Sequence, residues 1–221
     1  MLTRSEFLYS SGALTIAATA KAKPAHPPSN ELIWRLMEGN VRYIAGKTIH
    51  GDRTARRDEV SGSQHPFAMI LSCADSRVPP ELIFDQTLGD VFVVRIAGNY
   101  AETGGIGSLE YAFAHFHSPL LMVLGHSSCG AVHATVDAMN KPGSSAPGDI
   151  AAIVNAIMPA AQAVKGKPGD EYANAIAENV RRNVATLKAQ KPLLSEGVAS
   201  NKLQVVGAVY DLKSGKVRLI S

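Results

Sequence analysis

The sequence predicts an α/β fold, a mainly parallel central β-sheet flanked by helices with a C-terminal antiparallel hairpin. Three observations carry that prediction. Two short continuous apolar runs, at 67–71 and 120–124, read as strands buried on both faces, and Val91-Phe92-Val93-Val94-Arg95-Ile96 reads as a further strand between them. Helical patterns separate them, and strand–helix alternation is the mark of a parallel sheet. A closing pair, Leu203–Tyr210 and Val217–Ile220, is joined at Lys213-Ser214-Gly215 and reads as a hairpin.

The remaining elements follow in order. Ser29 can cap a helix on which Ile33, Met37, Val41 and Ile44 recur at helical spacing, with Gly46 as its stop. Trp34 and Tyr43 on this helix read as packing residues. Residues 47–64 are polar and turn-rich, as expected of a loop. Pro79-Pro80-Glu81 opens a short helix, because proline in a first turn loses no donor the helix needs. After Gly104, Gly105 and Gly107, Leu109, Ala112, Phe113 and Phe116 share one helical face; the glycine spacing is no dinucleotide fingerprint. Two alanine-rich helices are expected near 150–165 and 170–190, with Pro142-Gly143 before them and Pro168-Gly169 between them.

Composition narrows the function classes. The chain has 221 residues, 46% apolar and 19% charged, which suits one compact domain. No apolar run reaches the roughly 18–20 residues of a membrane span. Two cysteines cannot build a disulfide scaffold. The net charge is +3, with Lys and Arg scattered among acids, so no basic stripe marks a nucleic-acid face. Residues 1–28 stand apart. A charge at Arg4, a short apolar run from Ser11 to Ala20, small residues at Ala18, Ala20 and Ala22, then Pro24, Pro27 and Pro28 form an export signal and a linker. The opening resembles a twin-arginine signal, with Ser5 where the second arginine belongs. The reading is an exported or periplasmic protein if this segment is cleaved, with a cytoplasmic protein as the alternative, and a single catalytic domain over 29–221.

The chemistry sits beyond two strand ends. The first apolar strand runs into Cys73-Ala74-Asp75-Ser76-Arg77 and the third into Gly125-His126-Ser127-Ser128-Cys129-Gly130. Ligand sites in open α/β sheets collect beyond the carboxyl ends of strands. Cys73, Asp75 and Arg77 would share one face if the chain stayed extended. Both cysteines thus lie beside another metal-competent residue, and a Cys/Cys/His set suits tetrahedral zinc with one position left over.

The segments Cys73-Ala-Asp-Ser-Arg77-Val-Pro-Pro-Glu and Gly125-His-Ser-Ser-Cys-Gly-Ala131 resemble the two zinc-binding motifs of the β-class carbonic anhydrases. Gly89-Asp-Val-Phe-Val-Val-Arg-Ile-Ala-Gly-Asn99 and Gly107-Ser-Leu-Glu-Tyr-Ala112 match as well, and the likeness runs from Gly39-Asn40-Val-Arg-Tyr43 to Tyr210-Asp-Leu. The resemblance implies one Zn2+ per chain on Cys73, His126 and Cys129, and hydration of carbon dioxide to bicarbonate and a proton by zinc-bound hydroxide. Self-association as a homodimer or homotetramer comes with it. Two thiolates on the ion imply activity that rises toward alkaline pH.

The resemblance also assigns roles. Asp75 is itself a competent zinc ligand, and Arg77 can hold it off the metal with a bidentate fork; in the family that pair is the gate. Gln64 falls where the family has a hydrogen-bond partner for a substrate oxygen. Phe92, Ala97 and Tyr111 match apolar pocket positions, and Gly130 can present a backbone N–H to the substrate. Some family members bind inhibitory bicarbonate beside a tryptophan three residues before the first cysteine. Here that position is Ile70, so the effector pocket is expected to be absent and the gate open. Two further readings stay open: a carbonyl sulfide or carbon disulfide hydrolase on the same scaffold, and a non-enzymatic zinc protein closed by Asp75.

Overall fold

The computed structural model describes residues 29–220 apart from 142, 144 and 145. The expected export signal over residues 1–28 lies outside the described residues. The elements run α1 (Ser29–Ile44), α2 (Thr54–Val60), β1 (Ala68–Ser72), α3 (Pro80–Ile83), β2 (Val91–Arg95), α4 (Thr103–Phe116) and β3 (Leu120–His126). They continue through α5 (Gly130–Asn140), α6 (Ile150–Val164), α7 (Glu171–Ala189), α8 (Leu193–Ala199), β4 (Gln204–Tyr210) and β5 (Val217–Ile220).

The strands form one sheet in the order β2-β1-β3-β4-β5. The first four are parallel and β5 closes antiparallel on β4, with Tyr210 opposite Val217. The expected fold class is the observed one. β1 and β3 occupy the interior of the sheet and every residue in them is buried, which is why both read as unbroken apolar runs. Alternate residues face opposite layers. Ile70, Leu120, Met122 and Leu124 pack with Leu32 and Leu36 of α1 and Ile83 of α3. Met69, Leu71, Leu121 and Val123 pack with Leu109 of α4, Val180 and Leu187 of α7, and Leu194 of α8. A third cluster joins α5, α6 and α7 through Val132, Val136, Ile157, Ala161 and Ile176, and it encloses both cysteines. No helix among the described residues is long and apolar enough to cross a membrane.

Three expectations need correction. The buried face of α1 is Leu32, Leu36, Gly39 and Asn40, one position off the apolar stripe read from the sequence. Ile33 and Met37 pack only partly, whereas Val41 and Ile44 are 64% and 41% exposed. The reason is close approach: a Cβ on Gly39 would stand 1.7 Å from the Phe84 carbonyl oxygen, so only glycine lets α1 rest there. Asn40 then reaches in, donating to the carbonyls of Ile83 and Gly215 and accepting from the Val217 N–H. Trp34 is not packed but 67% exposed. The stretch 47–64 is not all loop, because it contains α2, which buries none of its residues and so leaves no apolar periodicity to read.

Candidate metal centre

β1 ends at Ser72, and Cys73 follows at the carboxyl edge of the sheet. β3 runs on further than its apolar stretch, ending at His126, and the turn 127–128 delivers Cys129 to the start of α5. Ser128 takes a positive φ of 55° in that turn. Ser127 braces it, its N–H donating to the Tyr210 carbonyl at 2.8 Å and its Oγ accepting from the Leu212 N–H at 2.9 Å.

This construction brings together one ligand atom from each of Cys73, His126 and Cys129, all within 4.8 Å of one another and all three residues buried. The cysteines are free thiols. His126 Nδ1 lies 2.9 Å from the Ser127 carbonyl oxygen, which can only accept. Nδ1 therefore carries the ring proton and Nε2 keeps its lone pair. Nε2 is buried and has no hydrogen-bond partner. A buried acceptor without a donor is costly in a native interior, and a cation is the partner these atoms suit.

The thiols are already polarised. The Cys73 thiol is held down to about 4, first by the Cys129 thiol donating to it and then by the Gly98 N–H at 3.3 Å, against burial. Cys129 is pushed far up, first by the hydrogen bond its thiol donates to Cys73, then by burial and by its neighbour's negative charge. The pair thus shares one proton, and a divalent cation favours the fully deprotonated pair. Thiolate and imidazole are zinc donors, so the residues fit that ion.

Asp75 and Arg77 meet by a turn and not by strand alternation. Residues 76–77 turn back, and Asp75 Oδ1 accepts from the Arg77 N–H at 2.9 Å. Arg77 Nε and Nη2 then grip the two carboxylate oxygens at 2.9 and 2.7 Å. This fork holds the Asp75 carboxyl well below the usual carboxylate range. Asp75 Oδ2 stands 3.9 Å from His126 Nε2, at the lip of the triad but committed to arginine.

Arg95 and Gly98 are positioning residues that the sequence reading passed over. Arg95 donates to the carbonyls of Cys73 at 3.0 Å and Asp75 at 2.6 Å, fixing the loop that carries both. A lone arginine closing an otherwise apolar run was the available signal. Gly98 has φ +82°, and a Cβ there would stand 2.4 Å from Ile157 Cδ1, so its N–H can approach Cys73 only as glycine. Asn179 of α7 secures the same loop through the Gly98 carbonyl at 2.8 Å.

The other candidate residues divide into two groups. Ala97 precedes Gly98 beside Cys73, and Gly130 opens α5 directly after Cys129, with open space where its Cβ would be. Gln64, Phe92 and Tyr111 gather elsewhere. Gln64 lines a cavity of about 480 Å³ with His65, His115 and Phe116. Phe116 packs against Phe92 at 6.1 Å and Tyr111 at 5.8 Å between ring centroids. Phe92 pairs with Met69, four residues before Cys73. That is about 13 Å along the strand. Within one chain these three residues do not join the triad. Tyr111 is 52% exposed, and among the described residues β2 is an edge strand of the sheet.

Comparison with known proteins agrees with this geometry. The sequence model of the carbonic anhydrase family matches residues 68–217. The carbonic anhydrase of Mycolicibacterium smegmatis is 38% identical over 202 residues, covering 88% of this chain and 96% of that protein. Carbonic anhydrase 2 of Mycobacterium tuberculosis is 38% identical over 188 residues, covering 84% and 90%. The beta-carbonic anhydrase CcaA superposes with a TM-score of 0.65 at 25% identity, covering 86% of this chain and 95% of that one. The chain belongs to the β-carbonic anhydrase family. A Coccomyxa β-carbonic anhydrase solved with acetazolamide gives a TM-score of 0.66 at 25% identity over 90% and 87% of the two chains. A tetrameric β-carbonic anhydrase of Sordaria macrospora shares the fold, with a TM-score of 0.67 at 21% identity over 87% and 98%. As a β-carbonic anhydrase this chain is an enzyme, and its buried Cys73–His126–Cys129 cluster is where a metal ion can sit.

Proposed function

We propose that this chain catalyses the reversible hydration of carbon dioxide to bicarbonate and a proton, with one zinc ion per chain held by Cys73, His126 and Cys129. The observation that carries the reading is the buried triad with an unpartnered His126 Nε2, beside an Asp75 held away by Arg77. Bound there, zinc supplies the Lewis acidity that brings the ionisation of water down to near neutral pH.

The chain's own groups do the rest. Asp75, ionised and fixed by Arg77, accepts a hydrogen bond from the attacking water and aims its oxygen lone pair at the carbon. The Gly130 N–H lies at the start of α5, where backbone donors have no intrahelical acceptor, and is placed to receive the oxygen that becomes negative. Gln64 supplies a second, amide donor, and Phe92, Ala97 and Tyr111 offer an apolar wall to a non-polar gas. Since Gln64, Phe92 and Tyr111 lie along the open β2 edge, a second copy of the chain brings them to the triad. Self-association as a dimer or tetramer then completes the site. Three protein ligands with Asp75 on arginine support a catalytic centre over a closed structural one.

Stopped-flow hydration of carbon dioxide by zinc-loaded protein tests the reading. Catalysis above the buffer rate is expected, and its absence would discard the proposal. Arg77→Ala is expected to keep its zinc, measured by atomic absorption, and to lose about a hundredfold in kcat, as an unfixed Asp75 would dictate. Near-normal turnover in that variant would remove the gate.

A further inference from the structure

The helix α2 is bound to the protein in an unusual way. It buries none of its residues, so no apolar face holds it in place. Among the described residues, its hydrogen bonds and ion pairs to anything beyond its own flanking turns are made by Arg56. Arg56 Nε donates to the Leu88 carbonyl at 3.0 Å, and Nη2 pairs with Asp90 Oδ1 at 3.2 Å. Val60, at the helix end, is half-buried beside Gly89, where an added Cβ would meet its Cγ1 at 3.3 Å and Arg56 Nη2 at 3.7 Å.

Asp90 is a firm anchor. Its side chain is 11% exposed, and its other oxygen accepts from Arg35 Nη2 of α1 at 2.9 Å. Its carbonyl accepts from the Phe67 N–H at 2.9 Å, immediately before β1. Arg35 also lies over the Phe67 ring at 3.9 Å. The segment 61–66, which carries Gln64, is therefore strung between two ties to one turn, with the Ser118 hydroxyl also donating to its buried Pro66 carbonyl. Phe67 holds its far end to Asp90, and Arg56 holds its near end to Leu88 and Asp90. The first tie is backbone to backbone. The second depends on one side chain, and a guanidinium can bind a carbonyl and a carboxylate at once where an ammonium is a single point.

We propose that Arg56 is a positioning residue for the reaction: by clamping α2 to the Thr87–Asp90 turn it sets where Gln64 stands. The proposal rests on the reading of Gln64 as a donor to the substrate. Arg56 touches no reacting atom, and its effect passes through Gln64.

Three variants of the full-length zinc-loaded protein test it: Arg56→Ala, Gln64→Ala and the double variant. Arg56→Ala is expected to lower kcat/KM about tenfold through misplacement of Gln64. Gln64→Ala is expected to lose about as much, and the double variant no more than Gln64→Ala alone, because nothing is left to position. Bound zinc stays at one equivalent throughout. Amide hydrogen exchange over residues 54–65 is expected to quicken in Arg56→Ala and not in Gln64→Ala. Additive losses in the double variant, or unchanged exchange in Arg56→Ala, would overturn the positioning role while leaving Gln64 as a donor. Full activity in Gln64→Ala would instead remove the donor reading, and the proposal with it.

Discussion

The two halves of the candidate site are built on opposite principles. The triad half is buried and over-determined: Arg95, the Gly98 N–H, Ser127 and Asn179 hold its loops, and core residues of α5, α6 and α7 enclose it. In the outer half, Phe92 and Tyr111 stand on the edge strand β2 and on α4, whereas the segment that carries Gln64 is tied by ion pairs around Asp90. Metal chemistry needs ligand atoms fixed to fractions of an ångström in a dry setting, and burial supplies that. Under the proposed self-association, the surface that receives a second copy stays exposed until it does, so one chain would hold a complete ligand set and an incomplete pocket.

Mixed oligomers offer the largest test of that division. Cys129→Ser alone is expected to lose both zinc and activity, since it removes one of three donors. Gln64→Ala alone is expected to keep its zinc. Co-expressed in one mixed dimer, the two defects fall on the same site, and the other site of each mixed dimer regains every group. Activity should recover to about half of the normal value per dimer. Recovery no greater than the Gln64→Ala parent shows would mean that each chain serves its own metal, and the comparison would break.

A smaller effect is expected where the outer layer joins the core. Asn40 makes three hydrogen bonds to backbone groups of α3, the hairpin turn and β5, and it is 2% exposed. Asn40→Ala strands those groups and should cost about 3 kcal/mol of unfolding free energy, read from urea denaturation. Zinc content at low urea should not change, because no ligand loop touches Asn40. A change in C_m below experimental error would show that water replaces the amide at no cost.

What the sequence made legible divides along the same line. β1 and β3 were readable because burial on both faces forces continuous apolar runs, and the triad was readable because its residue types have few other uses at strand ends. The Asp75–Arg77 pair was readable as a pair but not as a turn, since a spacing of two serves an extended segment and an Asx turn equally. α2 was invisible because Arg56, not an apolar stripe, attaches it. The buried face of α1 was misplaced because Gly39 and Asn40 do the packing, and neither carries a hydrophobic signal. Ile70 was legible as a departure from the family pattern, and the structure places it in the sealed core with α1. The separation of Gln64 from Cys73 depends on strand register, which spacing along the chain does not encode.

Acid should sharpen the contrast by the smallest margin. Asp85 is buried at the end of α3, where burial pushes its carboxyl up. The Arg42 Nε–H donating at 2.6 Å, the Ile49 N–H and the charges nearby outweigh that, so its net shift is downward. A carboxyl depressed on folding stabilises the native state fully above its unfolded pKa of about 3.9, and that stability is lost as pH falls through the folded value. Asp85 opens the turn that leads to Asp90, so this loss is felt in the outer half. Asp85→Asn should therefore lower Tm by a few degrees at pH 7, roughly 1 kcal/mol, and the gap from the unaltered protein should narrow as pH falls below about 4. A gap that does not narrow in acid would assign the loss to packing and not to charge.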